Sequence, residues 1–482
     1  MNVQCVQHMA GDRSQGRVYR LALKENIESF DPVDSVDETS GILLNLLHRN
    51  LFTTDVSGVL VNDLADRVVF DGPAVYVAIK PGIYFNDSPK APNIILNELT
   101  SEDVVYSLQR LKSSARQPWV LENVLEVKAY NRYTVVFFMK TNAMDSAEKT
   151  WQRQENLLSL PQCAIYSAAA HRQDGRFAGA STFSVTAYRS GTIELTSTGG
   201  YRLDFKVIAS DAGRWFYYRQ NQLDVYEADS VFRFLQNEKE SFKKVTLAQP
   251  VVLYGAIVSD ESSVLSRAEF RRVLNYRLNR NDLAGKTLMN SYQPADYPVP
   301  DIFDGSLPPL YAFDPRYSCD ISDAPGNKAE TIRIYTPPDR DRQLAAMAIK
   351  KVLGDCGYAA SIKVVDLSTL LKINNEKRTG IYLLKWVADY PHAENFIIPL
   401  FHSRNSGAGG NRSYYKNPRL DELLDRGVVT SQNVRSIEEM IRRDAPWIFI
   451  GFSKKQYYIN KQKEIKLPMM YTGWNEEVFS TM

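Results

Sequence analysis

The sequence predicts a mixed α/β protein built from more than one domain. Short stretches with the two-residue alternation of strands interleave with stretches of helical spacing, without the even strand-helix rhythm of a barrel. The chain is 482 residues long, about three times a typical single domain. Its composition, 44% hydrophobic, 11% aromatic and 24% charged, fits a globular protein and excludes disordered, collagenous and membrane-spanning classes. No tandem repeat or low-complexity linker is evident, so strands crossing between domains are expected to join them.

Residues 17–23 (RVYRLAL) alternate as a first strand, followed by a polar loop through Asp31-Pro32 and a mainly apolar helical stretch from Ile42 to Leu51. Strands are expected at Ala74 to Ile79, Thr134 to Phe138, Thr192 to Thr196, Arg202 to Ile208, Val251 to Val258, Thr331 to Tyr335 and Trp447 to Phe452. Helices are expected at Glu269 to Leu278 and Asp341 to Leu353. Thr100, with Asp103 three residues on, forms a capping box before Val104, Val105, Leu108 and Leu111. Asn417-Pro418 opens another helix, with Leu420, Leu423 and Leu424 on one face and Gly427 as a left-handed stop.

Lys plus Arg (58) and Asp plus Glu (56) nearly cancel, leaving +2, so net charge supports neither a nucleic-acid nor an anionic-lipid partner. Cys5, Cys163, Cys319 and Cys356 lack CxxC spacing and a nearby histidine, which argues against a structural zinc. Free or buried thiols are the expectation, and Cys319 with Cys356 is the pair to consider for a disulfide. Residues 1–16 lack the apolar stretch of a secretory signal, and Val3-Gln4-Cys5 matches a lipidation box poorly.

Gly285-Lys286-Thr287 resembles the end of a phosphate loop, but Arg280 stands where that loop needs glycine. No GxSxG, HExxH or GxGxxG occurs, and His8, His48, His171, His392 and His402 are scattered. The chain therefore reads as a non-enzyme without a cofactor or bound metal. Ser406 to Asn411 is glycine-rich and is read as a connection before the Asn417 helix in preference to an anion cradle.

An ordered series of segments carries more information. It starts with Asp31-Pro32, Leu51-Phe52, Asp55, Gly58 and Asn62-Asp63-Leu64-Ala65. Lys80-Pro81-Gly82-Ile83-Tyr84-Phe85-Asn86-Asp87 and Leu99-Thr100-Ser101-Glu102-Asp103-Val104-Val105-Tyr106-Ser107 come next, then Gly179 to Phe183 and Asn221-Gln222-Leu223-Asp224. Arg271 to Arg280, Trp386-Val387-Ala388-Asp389-Tyr390-Pro391 with Asn395-Phe396 and Pro399-Leu400-Phe401, and Asn417-Pro418 with Asp421 complete it. In this order they resemble the family 5 solute-binding proteins of ABC importers, receptors for oligopeptides, dipeptides, nickel chelates and related solutes. The stretches from Lys80 and from Leu99 are the most specific.

The resemblance implies a two-lobed periplasmic-binding-protein-like clamp of type II, cluster C-like, with an extra N-terminal subdomain. Lobe I would comprise residues 17–50, 166–257 and 453–482, the extra subdomain 51–165, and lobe II 258–452, with Val251 to Val258 and Trp447 to Phe452 as hinge strands. Asp389 matches the carboxylate that, in the peptide-binding members, pairs with the ligand's α-ammonium. Lys385, Trp386 and Val387 would offer a backbone edge to the peptide, with Tyr390 beside them. Glu38 and Thr39 would contact it from the other lobe, and Trp386 and Trp119 would form apolar walls. The implied function is capture of peptides by a monomer at the periplasmic or outer cell surface and presentation to an ABC permease.

Departures from the family pattern are visible. Pro391-His392-Ala393 replaces its Pro-Asp-Pro, and Gly179 to Phe183 reads GASTF in place of GTGPF. No arginine stands just before Trp386, where some members of the family hold a ligand carboxylate, which leaves Lys385 or Arg378 for that task. His392 and His402 motivate a metal-chelate, haem or small-solute ligand as the alternative, and the missing export signal motivates a cytosolic sensor.

Overall fold

The computed structural model describes residues 17–35, 37–86, 97–140, 146–228, 239–304, 307–321, 331–427 and 429–479. Cys5 and its preceding residues, like Asp87 of the Lys80 signature, lie outside them. Two compact units are present. The first takes the chain up to Val245 and again from Gln456, and the second takes Thr246–Lys455.

In the first unit, strand Val18–Leu23 pairs in parallel with Arg202–Val207, and Thr192–Ser197 and Phe183–Arg189 extend the sheet antiparallel. Its core gathers Leu21, Leu23, Leu43, Leu46, Phe183, Leu195, Leu203 and Phe205, with Phe479 from the end of the chain. An antiparallel sheet of Ala65–Asp71, Ala74–Ile79, Thr134–Met139 and Val124–Asn131 forms separately. Helix Ser101–Ser113 begins as expected: Thr100 N–H donates to Asp103 Oδ2 at 3.0 Å.

The helix expected from Ile42 starts instead at Glu38 and ends at Leu47. Asp37 sets that start, its Oδ1 accepting the Ser40 N–H at 2.8 Å. The polar first turn, Glu38-Thr39-Ser40, has no apolar residue to announce it. Gly179, the one glycine kept from the family's turn, sits where a Cβ would collide with the Leu47 carbonyl, so close backbone approach requires it.

The second unit is built on a mixed sheet in the order Trp447–Asn460, Phe242–Val258, Gly380–Val387, Thr331–Thr336, Ala359–Val364. Both long strands exceed the expected ranges, because only their apolar portions read as strand in sequence. The division between units falls inside them. Helix Arg340–Asp355 packs Ala345, Ala346, Ile349 and Leu353 onto the sheet core.

Two expectations are corrected here, Gly427 as a left-handed stop and the free thiols, and the rejection of a phosphate loop at Gly285-Lys286-Thr287 stands. Gly427 is extended at φ −127° rather than left-handed, its N–H returning to the Leu423 carbonyl at 3.0 Å. Gly285-Lys286-Thr287 lies in a helical turn where Lys286 pairs with Asp282 at 2.7 Å. Cys319 and Cys356 form a disulfide with Cα atoms 5.4 Å apart, which sequence spacing alone could not decide. Among the described residues, no helix is long and apolar enough to cross a membrane.

Replacing Cys319 and Cys356 together by serine should destabilise the second unit. With the cysteines 37 positions apart in sequence, the loop-closure term is about 3–4 kcal/mol. Urea unfolding monitored by fluorescence should show a lower midpoint, and an unchanged midpoint would mean the crosslink contributes nothing.

Candidate ligand-binding site

Strand Gly380–Val387 pairs antiparallel with Val251–Val258, Val252 facing Trp386. One residue beyond the strand, Ala388 N–H donates to Pro250 O at 2.9 Å. In an antiparallel ladder alternate residues bond the same neighbour, so Trp386 bonds Val252 while Lys385 and Val387 turn their N–H and C=O to the opposite side. On that side Thr331–Thr336 runs parallel, with Tyr335 beside Tyr382. Pro337 and Pro338 follow Thr336 and lack the N–H groups that would continue the ladder. The edge at Lys385 and Val387 is therefore left for another partner, and Val387 is 57% exposed.

Asp389 follows that edge. Asn395, 2% exposed, organises it from helix Glu394–Phe401. The Asn395 Oδ1 accepts the Trp386 indole N–H at 3.0 Å and the Asp389 backbone N–H at 3.2 Å. Its amide group donates to Asp389 Oδ2 at 3.4 Å. Asp389 keeps exposed surface, yet surrounding protein desolvates its carboxyl and pushes the pKa above the ordinary carboxylate value, with the Asn395 hydrogen bond acting in the opposite direction. The sequence motif contains Asn395; what sequence reading missed is its role, although its position six residues after Asp389 was on view.

Lys385 is held by acidic groups, its Nζ 3.4 Å from Asp341 Oδ2 and 3.6 Å from Asp339 Oδ1. Arg378 pairs with Glu376 at 2.7 Å. Both cations considered for a ligand carboxylate are thus engaged within their own unit. Tyr390 is half-buried beside Asp389. His392 Nδ1 accepts the Glu394 N–H at 3.1 Å, and buried His402 contacts Asp421 and Asp425 at 3.3 and 3.1 Å.

Glu38 and Thr39 belong to the first unit and line a cavity of about 110 Å³ there. That cavity lies at the carboxyl ends of the parallel strands, walled by Leu21, Leu23, Ile42, Phe205 and Trp474. At its rim Lys24 pairs with Glu227 at 3.0 Å. Trp119, 38% exposed, stands in the turn Pro118–Leu121 and is not among the cavity's lining residues. The structure thus brings Lys385, Trp386, Val387, Asp389 and Tyr390 together in one unit, and Glu38 and Thr39 together in the other.

Comparison with known proteins places this fold and motif order. The family described as bacterial extracellular solute-binding proteins, family 5 Middle, matches residues 60–408, and the chain belongs to this family, the solute-binding components of ABC transporters. The glutathione-binding protein GsiB of Pectobacterium atrosepticum is 22% identical, with 89% of this chain and 88% of that protein covered. The structure of HbpA2 from Haemophilus parasuis superposes with a TM-score of 0.80 at 17% identity, over 92% of this chain and 96% of that one. The unliganded open form of MppA, a periplasmic murein tripeptide binding protein, gives 0.79 at 15% identity over 96% of each. The fold is that of the family 5 binding proteins.

A carboxyl whose pKa is raised by folding destabilises the folded state once ionised. Asp389→Asn should therefore raise the thermal midpoint of the ligand-free protein. The gain is complete above the raised folded pKa and disappears as pH falls below the ordinary carboxylate value. Calorimetric scans of both proteins across that range test the sign, and a lower midpoint for the variant at neutral pH would reverse it.

Proposed function

We propose that the protein is a non-enzymatic monomer that captures peptides outside the cytoplasm and delivers them to an ABC permease, with Asp389 binding the peptide's α-ammonium. The observation that carries this reading is the Asp389 carboxylate. It keeps exposed surface, is partly desolvated by the surrounding protein, and has one long hydrogen bond from a neutral amide among the described contacts. An ammonium supplies both the charge and the donors such a group lacks.

The surroundings suit a peptide. Lys385 and Val387 present backbone N–H and C=O groups for strand addition, which recognises main chain without reading side chains. Trp386, fixed through its indole N–H, forms an apolar wall, as does Trp119, and Tyr390 flanks the carboxylate. Glu38 and Thr39 are assigned to ligand contact in the first unit. Glutathione and a murein tripeptide, named for two similar proteins, are short peptides with a free amino group, which supports the same ligand class here.

The Cys319–Cys356 disulfide supports an oxidising, extracytoplasmic compartment and weighs against a cytosolic sensor. His392 and His402, which motivate a chelate or haem ligand, are occupied by local capping and carboxylate contacts.

Native mass spectrometry followed by sequencing of released compounds should recover short peptides; a metal chelate or a single non-peptide solute would replace the peptide reading. Asp389→Ala should weaken peptide binding in calorimetry by about 2–5 kcal/mol, roughly 30-fold or more. N-acetylation of the peptide should do the same to the parent protein. Because the ionised carboxylate is the binding form, parent affinity should decline as pH falls through the raised Asp389 pKa, beginning above the ordinary carboxylate range. Equal affinities of parent and variant would remove the ammonium role.

A further inference from the structure

We infer that Asn395 is the positioning residue for ammonium recognition: it orients the Asp389 carboxylate without lending it a positive charge. This rests on the reading of Asp389 as the ammonium partner.

The orientation of the Asn395 amide follows from chemistry. A tryptophan indole and a backbone amide nitrogen are donors only. Both approach the same end of the Asn395 side chain, at 3.0 and 3.2 Å, so the oxygen must face them. A flipped amide would set its NH2 against two donors, and the assignment is therefore fixed by its partners. The NH2 is left facing Asp389 Oδ2 at 3.4 Å. Residue 395 is 2% exposed, so the amide is held by packing as well as by hydrogen bonds.

The choice of a neutral donor has consequences. A hydrogen bond to the ionised carboxylate favours that form and opposes the desolvation that would protonate it. An arginine or lysine at the same place would favour ionisation more strongly, but it would neutralise the charge needed for the ligand. A carboxylate there would drive Asp389 to protonate. The third anchor, the Asp389 backbone N–H, ties the amide to the same residue whose side chain it orients. Asn395 therefore fixes both ends of Asp389 relative to the strand end and the Trp386 ring.

Two measurements test this. In the ligand-free protein, the Asp389 carboxyl is titrated by carbon-13 NMR in the parent, Asn395→Ala and Asn395→Asp. The pKa should rise in Asn395→Ala and rise further in Asn395→Asp, where a like charge is introduced and the oxygens facing Trp386 are kept. A residue that only supports packing would leave the titration of the Asn395→Ala variant unmoved, and that result overturns the inference; the Asn395→Asp variant calibrates the size of a like-charge shift.

The second measurement is a double-mutant cycle with a synthetic copy of the most abundant peptide released by the purified protein. At neutral pH, Asn395→Ala should weaken its binding by about tenfold when Asp389 is present. In the Asp389→Asn background the same change should cost less than about threefold. Equal losses in both backgrounds, or no loss beside Asp389, overturn the positioning role. If Asp389→Asn alone leaves binding unchanged, the ammonium reading itself falls, which the cycle separates from a failure confined to Asn395. Circular dichroism and thermal scans of each variant establish that the folded protein is being compared.

Discussion

The pairing register between Gly380–Val387 and Val251–Val258 is the constraint from which the candidate site follows. With Val252 opposite Trp386, alternation commits the even-numbered residues of the later strand to the ladder and turns Lys385 and Val387 outward. A slip by one residue would exchange these roles and reverse every side chain. The register is secured by burial: Leu253, Ile257, Ile381 and Leu383 all belong to one core. Helix Arg340–Asp355 packs on that same core. The geometry of an exposed edge is thus set by apolar packing below it.

Electrostatics then separate Asp389 from two fully buried carboxylates of the molecule. Fully buried Asp224 accepts from the Arg20 backbone and guanidinium and from Asn460. Buried Asp296 accepts the Leu310 and Tyr311 N–H groups and pairs with Arg442 at 2.9 Å. Those groups have the several partners that an ion removed from water requires. Among the described residues, Asp389 has a single long bond from an amide to its carboxylate. Asp389 instead keeps exposed surface and has few protein partners, so its carboxylate is open to a ligand that brings donors and charge.

Local rules made much of the fold legible. The Thr100–Asp103 box and the Asn417-Pro418 start rest on interactions between near neighbours, strand Ala74–Ile79 on its own apolar run, and each is found in the structure. The motif order likewise identified the family. What escaped depended on distant partners or on polar residues within regular elements. Phe242 to Pro250 carries lysines and a proline, so its membership of one long strand is decided by the sheet. Glu38 to Ser40 has no apolar stripe, so its helix depends on Asp37. The disulfide needed the fold to bring Cys356, at the end of a helix, to Cys319. For the candidate site, residue types and motif positions were readable, whereas the double acceptance by Asn395 required the indole and the backbone to be placed.

The position of Lys385 completes the electrostatic logic. It is the cationic residue nearest to Asp389 in the sequence on either side, setting histidine aside, and a flexible lysine reaches carboxylates readily. Here Asp339 and Asp341 draw its ammonium away, and Tyr292 lies beneath it, 5.8 Å from ring centroid to nitrogen. Those acidic residues sit where the chain leaves the Pro337-Pro338 turn and enters helix Arg340–Asp355. The prolines that end the neighbouring strand therefore also deliver the counter-ions that occupy Lys385. One break in the ladder leaves backbone groups open at the strand end and keeps the local cation from discharging Asp389, so a neutral amide is what remains to orient it.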